Sequence, residues 1–237
     1  TIIPMLRHKK DPKTKIVSIM KPQFFKSKFD LIVAPSHDFS EIPENVFTYM
    51  GSIAKVNLNS NLENIGLLIV GGKNKHFKFN NDYLISQINF VTSLFPKLKW
   101  IIFNSRRTPN SFNNSIKKNG FEAQFINITE NFEPLDSYIS RAKMRFITPD
   151  SVNMVFESLS SSGETYLFDM KRQKKNKITR LINEIKSNRF VGYLEENPIG
   201  KSTIKKISLI NPNPHHEPFA EVEKVVFAIK KLMKFGA

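Results

Sequence analysis

The chain has 237 residues, 40% of them hydrophobic, which is enough for a buried core in one large domain or two small ones and excludes disorder as the default. It has no cysteine, which excludes disulfides, thiolate metal sites and cysteine nucleophiles, and His8, His37, His76, His215 and His216 show no HExxH-type spacing, so no metal is expected. The formal charge of +15 would suit nucleic acid or an acidic membrane, yet the lysines are scattered among many Asn and Ile residues, as an AT-rich coding sequence would produce without selection for charge.

The basic cluster at residues 171–177 is the part of that charge that carries a surface-binding expectation. No apolar run reaches the roughly 18 residues needed to cross a bilayer, and no signal peptide precedes the first strand-like run. The sequence therefore predicts a cytoplasmic chain, soluble or peripheral at a membrane. Its start at Thr1 rather than Met, almost directly in structure, predicts a longer protein that has lost its N-terminal part.

Short apolar runs at 16–19, 31–34 and 46–49 predict three strands, punctuated by Pro22, Pro35 and Pro43. The polar, Asn-rich stretch 57–64 separates this part from the rest and predicts a linker between residues 1–56 and 65–216. Beyond it, strands at 66–70, 100–103, 125–128, 144–147 and 166–168 alternate with helices at 82–95, 111–118, 135–142, 152–161 and 177–188. Gly120 and Gly163 stand where two of these helices should stop. A helix over 217–235 closes the chain, with Phe219, Val222, Val226, Ile229 and Met233 as its apolar stripe and Lys224, Lys230, Lys231 and Lys234 elsewhere. The alternation predicts an α/β fold, a parallel sheet with helices on both faces.

Three segments place polar groups where open α/β sheets hold anions, at the end of a strand and ahead of a helix. Gly71-Gly72, with Lys73 and Lys75, lets backbone approach a ligand closely, or forms an ordinary turn. Arg106-Arg107, followed by Thr108, suits bidentate phosphate contact, or a salt-bridged surface turn. Asp150-Ser151 reads as a helix N-cap whose first-turn amides can also hold a phosphate. Glu157, two turns on, can accept both hydroxyls of a ribose, or is a solvated carboxylate on the outer face. Together they predict a nucleoside-diphosphate pocket. His37-Asp38 at a strand end is a candidate general base or a polar turn, and His215-His216 marks the entry to the last helix without a metal.

The stretches Phe29-Asp30-Leu31-Ile32-Val33-Ala34-Pro35-Ser36-His37-Asp38, Val70-Gly71-Gly72 with Lys75-His76-Phe77, Ser105-Arg106-Arg107-Thr108-Pro109, and Asp150-Ser151-Val152-Asn153-Met154-Val155 with Glu157 resemble the mitochondrial fission ELM family, in its order. Its bacterial members are also described as predicted nucleoside-diphosphate-sugar epimerases. The family looks like metal-independent glycosyltransferases of the two-Rossmann-domain, GT-B type. That resemblance implies a nucleotide-sugar substrate held by residues 65–216 with no further cofactor, and an acceptor, an envelope lipid or glycan, held by an N-terminal domain of which 1–56 is the last part. It also implies that 217–237 crosses back to that domain. Gly71, Gly72, Lys75, Arg106, Arg107, Thr108, Asp150, Ser151 and Met154 would then line the nucleotide and its phosphates, with Glu157 at the ribose and His37 and Asp38 as the catalytic pair. Plant members are associated with the mitochondrial outer surface and with recruiting a dynamin-like division protein, so a non-catalytic adaptor at a membrane is the alternative. A nucleic-acid-binding domain is a third reading, with no specific nucleic acid expected. An epimerase has least support, because no full dinucleotide fingerprint or Tyr-xxx-Lys pair is present. The chain departs from the family pattern at Lys143, where an acidic residue is usual, and at Glu130-Asn131 with Phe132-Glu133-Pro134-Leu135, a loose version of a Gly-Glu-Asn-Pro-Tyr segment.

Overall fold

The computed structural model describes residues 6, 13–55, 57–120, 124–126, 133–198, 205–214 and 217–234. Among these the strands are β1 (Val17–Ile19), β2 (Leu31–Pro35), β3 (Val46–Tyr49), β4 (Glu63–Ile69), β5 (Lys99–Phe103), β6 (Gln124–Ile126), β7 (Ala142–Ile147), β8 (Glu164–Leu167), β9 (Gly192–Pro198) and β10 (Lys205–Ile210). The helices are α1 (Asn81–Leu94), α2 (Asn110–Lys118), α3 (Leu135–Arg141), α4 (Val152–Leu159), α5 (Lys177–Ser187) and α6 (Glu221–Lys234). Packing divides the chain into two units, Thr1–Lys55 with Ala220–Ala237, and Val56–Phe219.

In the first unit β1, β2 and β3 form a parallel sheet with β2 in the centre. Strand β2 reads as a continuous apolar run because both its faces are covered. Ile32 and Ala34 pack with Ile16 and Phe29 on one side, and Val33 packs with Tyr49 and with Val225 of α6 on the other. The expected stripe of α6 is rotated by about one residue. Val225 is buried and Ile229 packs beside it, whereas Val226 and Met233 are exposed. Two causes are visible. Pro218 disfavours helix at the residue before it, and α6 starts at Glu221 rather than 217. The buried Glu221 then accepts the Met50 amide at 2.8 Å, which sets which side of the helix faces inward.

In the second unit seven strands follow the order β10-β9-β8-β7-β4-β5-β6, all parallel except the antiparallel β9–β10 pair at one edge. One face is covered by α1 and α2, whose Leu84, Ile88, Val91, Phe112 and Ile116 bury against Leu68, Ile102 and Phe146. Phe146 and Tyr166 stack across neighbouring strands with centroids 4.7 Å apart. Helix α3 lies on the other face, where Tyr138 meets Phe103 edge-on at 4.8 Å. The helix starts follow their chemistry: Asn80 accepts the Tyr83 amide at the head of α1, and Asn176 forms a capping box with Thr179 at the head of α5. Residues 57–64, read from the sequence as a linker, lie with this unit. Asn57 donates to the Ser160 carbonyl at 2.9 Å and accepts the Ser162 amide at 3.0 Å, and β4 already starts at Glu63. Strands β9 and β10 were not anticipated.

Candidate functional site

The chain leaves β4 toward β5 and β6 on one side of the sheet and later continues from β7 to β8 and β9 on the other. Parallel strands end at one edge, and the strand order reverses between β4 and β7, the place where open α/β sheets carry a ligand crevice. Residues 71–72 after β4, 104–108 after β5 and 148–151 after β7 converge at this point, and they are the three segments singled out from sequence.

Their contacts form a closed knot. The Gly71 amide donates to Thr148 Oγ1 at 2.7 Å and the Gly72 amide to Asp150 Oδ2 at 3.1 Å. Arg107 Nη2 donates to the same carboxylate oxygen at 3.1 Å. Thr108 directs its hydroxyl at the Gly71 carbonyl and accepts the Ser105 amide at 2.8 Å. Both glycines are required by contact: a Cβ at Gly71 would collide with the Asp150 carboxylate, and one at Gly72 with the Arg107 backbone. The Asp150 side chain is fully buried and that of Arg107 is 48% exposed. Burial pushes the Asp150 carboxyl above its ordinary range, opposed by Thr148, the Gly72 amide and Arg107.

The neighbouring groups remain open to a ligand. Arg106 is exposed and makes no ion pair among the described residues. Ser151 occupies the N-cap of α4 without a side-chain capping bond, and the first turn of α4 holds no acidic residue. Positive dipole charge at that end therefore faces no carboxylate of its own turn. Met154 and Glu157 lie half-buried along α4. Burial, and then the charge of Asp136, push the Glu157 carboxyl up, so it is not the freely solvated carboxylate that a polar helix face would give.

Lys75 is exposed on the loop after β4. That loop is shaped by Asn74, which sequence reasoning missed: its Oδ1 accepts the His76 and Phe77 amides at 2.6 and 2.9 Å, and its Nδ2 donates to the Gly72 carbonyl at 3.0 Å. An Asn two residues past a Gly-Gly turn is a recognisable sign of such a local turn. Thr148, also missed as a partner, stands two residues ahead of Asp150 at the end of β7. Gln173 clasps the same loop from the segment after β8, donating to the carbonyls of Asn74 and Phe77 at 3.2 and 2.8 Å.

His37 and Asp38 belong to the first unit, in a 3-10 turn directly after β2, with His37 Nε2 3.7 Å from Asp38 Oδ1. Lys21, from the loop after β1, donates to the Asp38 carbonyl and lies over the Phe39 ring at 4.4 Å. Burial first, and then the charge of Asp38, raise the Tyr49 hydroxyl pKa. Among the described residues no three His, Asp or Glu side chains come together as metal ligands, and no helix is long and apolar enough to cross a membrane. Glu130, Asn131, Phe132, His215 and His216 lie outside the described residues.

A mainly parallel Rossmann-like sheet with polar loops gathered at its winding reversal defines an open-sheet α/β protein. The family model described as Mitochondrial fission ELM1 matches residues 1–231, and the chain belongs to this family, as its four motif stretches indicated. A relative is the uncharacterized protein RP120 of Rickettsia prowazekii (strain Madrid E), 24% identical over 277 residues that cover 96% of this chain and 75% of that protein. Among solved structures, the pneumococcal O-GlcNAc transferase GtfA in complex with UDP and GlcNAc is similar at a TM-score of 0.40 and 14% identity, over 61% of this chain and 31% of that one. The GtfA/B complex is similar at 0.43 and 10%, over 89% and 41%. A mutant of S. aureus TarM with fondaparinux, alpha-GlcNAc-glycerol and UDP is similar at 0.37 and 12%, over 66% and 37%. The chain spans less than half of each of these solved chains.

Proposed function

We propose that the second unit binds a nucleoside-diphosphate sugar and that the protein is a metal-independent glycosyltransferase of the GT-B type, acting from the cytoplasmic side on an envelope lipid or glycan. The observation that carries the reading is the loop cluster at the β4/β7 reversal, where Arg106 is exposed, the α4 N-terminus is uncapped by any side chain and Glu157 is half-buried. Arg106 and the first-turn amides of α4 suit a diphosphate, whose negative charge grows as the bond from the anomeric carbon to the phosphate oxygen breaks. Glu157 suits the two ribose hydroxyls, since a carboxylate accepts from both. In the first unit His37, next to Asp38, is the group proposed to take the proton of the acceptor hydroxyl. The Gly71 and Gly72 amides are engaged by Thr148 and Asp150, so they shape the loop cluster rather than donate to phosphate.

That internal satisfaction also favours a second reading, a non-catalytic adaptor that keeps the fold as a docking surface. Calorimetric titration of the protein with uridine, guanosine, adenosine, cytidine and thymidine diphosphates separates the two. Binding of one or more of them, weakened by about 1.5 to 3 kcal/mol in Arg106→Ala with the melting temperature unchanged, is the outcome expected for a charge-assisted contact. Absence of heat with every nucleotide, or equal affinity in the variant, would remove the nucleotide-site reading and leave the adaptor.

A further inference from the structure

The end of β1 and the loop after it hold four large apolar side chains in water: Ile19 is 61% exposed, Met20 54%, Phe24 66% and Phe25 53%. Scattered surface hydrophobics are ordinary, but four within seven residues are a patch. The loop has not simply failed to fold against the sheet. The Met20 amide donates to the Val33 carbonyl at 2.7 Å, Pro22 is buried, and Lys21 is tied to the Asp38 carbonyl. Beyond the two phenylalanines, Asn45 Nδ2 donates to the carbonyls of Lys26 and Phe29, each at 3.0 Å. Anchors at both ends thus present the apolar side chains outward. Met20 and Phe25 also take left-handed backbone, with φ of 88° and 58°, which bulky residues rarely adopt without a compensating reason.

The charge along this stretch of chain is of one sign: it holds Lys13, Lys15, Lys21, Lys26 and Lys28, and no Asp or Glu occurs between Lys13 and Phe29. The next carboxylate, Asp30, is turned to the backbone and accepts the Ile16 amide at 2.8 Å. Aromatic and aliphatic side chains among lysines match the headgroup region of an anionic bilayer, where rings sit at the boundary and lysines meet lipid phosphates. A protein surface would need to supply both an apolar pocket and a rim of carboxylates. A lipid interface supplies the two together.

We propose that the loop from Ile19 to Lys28 is a membrane-docking element that inserts Phe24, Phe25, Met20 and Ile19 into the interfacial layer of an anionic membrane. Because the strands are parallel, this loop leaves the same edge of the three-stranded sheet as the His37–Asp38 turn, and Lys21 links the two. Docking therefore brings that turn to the lipid surface, which suits an acceptor carried by lipid. The proposal does not depend on the nucleotide site.

The test is sedimentation of the protein with vesicles of phosphatidylcholine alone and of phosphatidylcholine with phosphatidylglycerol, together with light scattering without lipid. The parent is expected to bind the phosphatidylglycerol vesicles preferentially. Phe24→Ser with Phe25→Ser should weaken that binding roughly tenfold or more while the melting temperature holds, because both side chains are exposed. Lys26→Glu with Lys28→Glu should abolish the preference for the anionic vesicles. If the double phenylalanine variant is unfolded, Phe24→Ser alone provides the same reading with a smaller loss. The proposal is overturned if the parent binds neither vesicle, or if the folded phenylalanine variant binds as the parent does. It is overturned equally if the parent is a dimer that the phenylalanine variant makes monomeric, since the patch would then be a contact between copies of the chain.

Discussion

Asp150 is a buried carboxylate held by a backbone amide and a guanidinium, and this explains why two glycines and an arginine are placed around it. Arg107→Ala would leave the carboxylate in a dry site without its cation, so unfolding in urea should show a loss of roughly 1 to 3 kcal/mol. Arg106→Ala, one residue away, should show almost none. Equal losses in both would mean that the two arginines exchange places around Asp150. Gly71→Ala should be costlier than an ordinary overpacked site, about 1 to 3 kcal/mol or more, because the added carbon meets a carboxylate that is itself fixed. Glu157 gives a pH-dependent case. A carboxyl whose folded pKa lies above its unfolded value binds its proton more tightly when folded, so ionisation costs stability as pH rises through the interval between the two. Below the unfolded value, about 4, that cost is absent. Glu157→Gln should therefore melt higher than the parent at pH 7.5 and the gain should fade as the pH approaches 4, while affinity for a ribonucleotide falls. A gain that is the same at both pH values would show that the charge of Glu157 is not what burial and Asp136 oppose.

At the scale of elements, β7 shows how one buried charge can fasten three pieces of chain. Arg145 is fully buried, and its Nη1 donates at 2.7 Å to the Ile139 carbonyl of α3 and at 2.7 Å to the Ser162 carbonyl ahead of β8. Burial lowers its pKa to about 10, with Glu164 acting the other way, so it stays charged at neutral pH. Arg145→Ala removes both bonds and leaves a cavity, and chemical denaturation should register a loss of about 2 to 5 kcal/mol. A loss under about 1 kcal/mol would mean that water replaces both bonds without strain. Nothing in Met144-Arg145-Phe146 distinguishes this arginine from a solvated one, because strand alternation says which face a residue takes and not whether that face is covered. The same limit explains the other elements that sequence did not reveal. The buried parallel strands β4 and β5 were legible because both faces are apolar, and β7 through the apolar Met144, Phe146 and Ile147 around Arg145. Strands β9 and β10 carry Glu195, Glu196, Lys205 and Lys206 among their apolar residues, so their pattern resembles a polar connection. For α6 the existence was legible from helical spacing, but its rotation was fixed by Glu221 bonding a distant backbone amide. In the loop cluster the three segments were identified because strand-end glycines, arginines and helix caps have local signatures. Which of Arg106 and Arg107 turns inward depends on where Asp150 sits, and that is a tertiary fact.

For the whole molecule, the net charge of +15 and the return of the chain to its first unit are the features that matter. The charge spreads over both units, so it should hold nucleic acid only through counterion release, weakly and without sequence preference. Each phosphate neutralised adds nearly one unit to the salt slope, and binding to any duplex should vanish near physiological salt. Tight binding that persists there would favour a nucleic-acid function over the nucleotide-sugar reading. The return of the chain gives the last test. Helix α6 completes the first unit by covering Val33 and Tyr49, and Glu221 anchors it: one carboxylate oxygen accepts the Met50 amide at 2.8 Å and the other accepts Lys224 Nζ at 2.6 Å. Lys224 is exposed, so its pair adds little, and the anchoring strength lies in the buried bond to Met50. Glu221→Ala leaves that amide without its acceptor and should cost roughly 1 to 3 kcal/mol. Glu221→Gln keeps a carbonyl oxygen in reach and should cost clearly less, and lowering the salt should not rescue either variant. Comparable losses in Ala and Gln would assign the stabilisation to the negative charge, and the account of α6 given by its hydrogen bond to Met50 would fail.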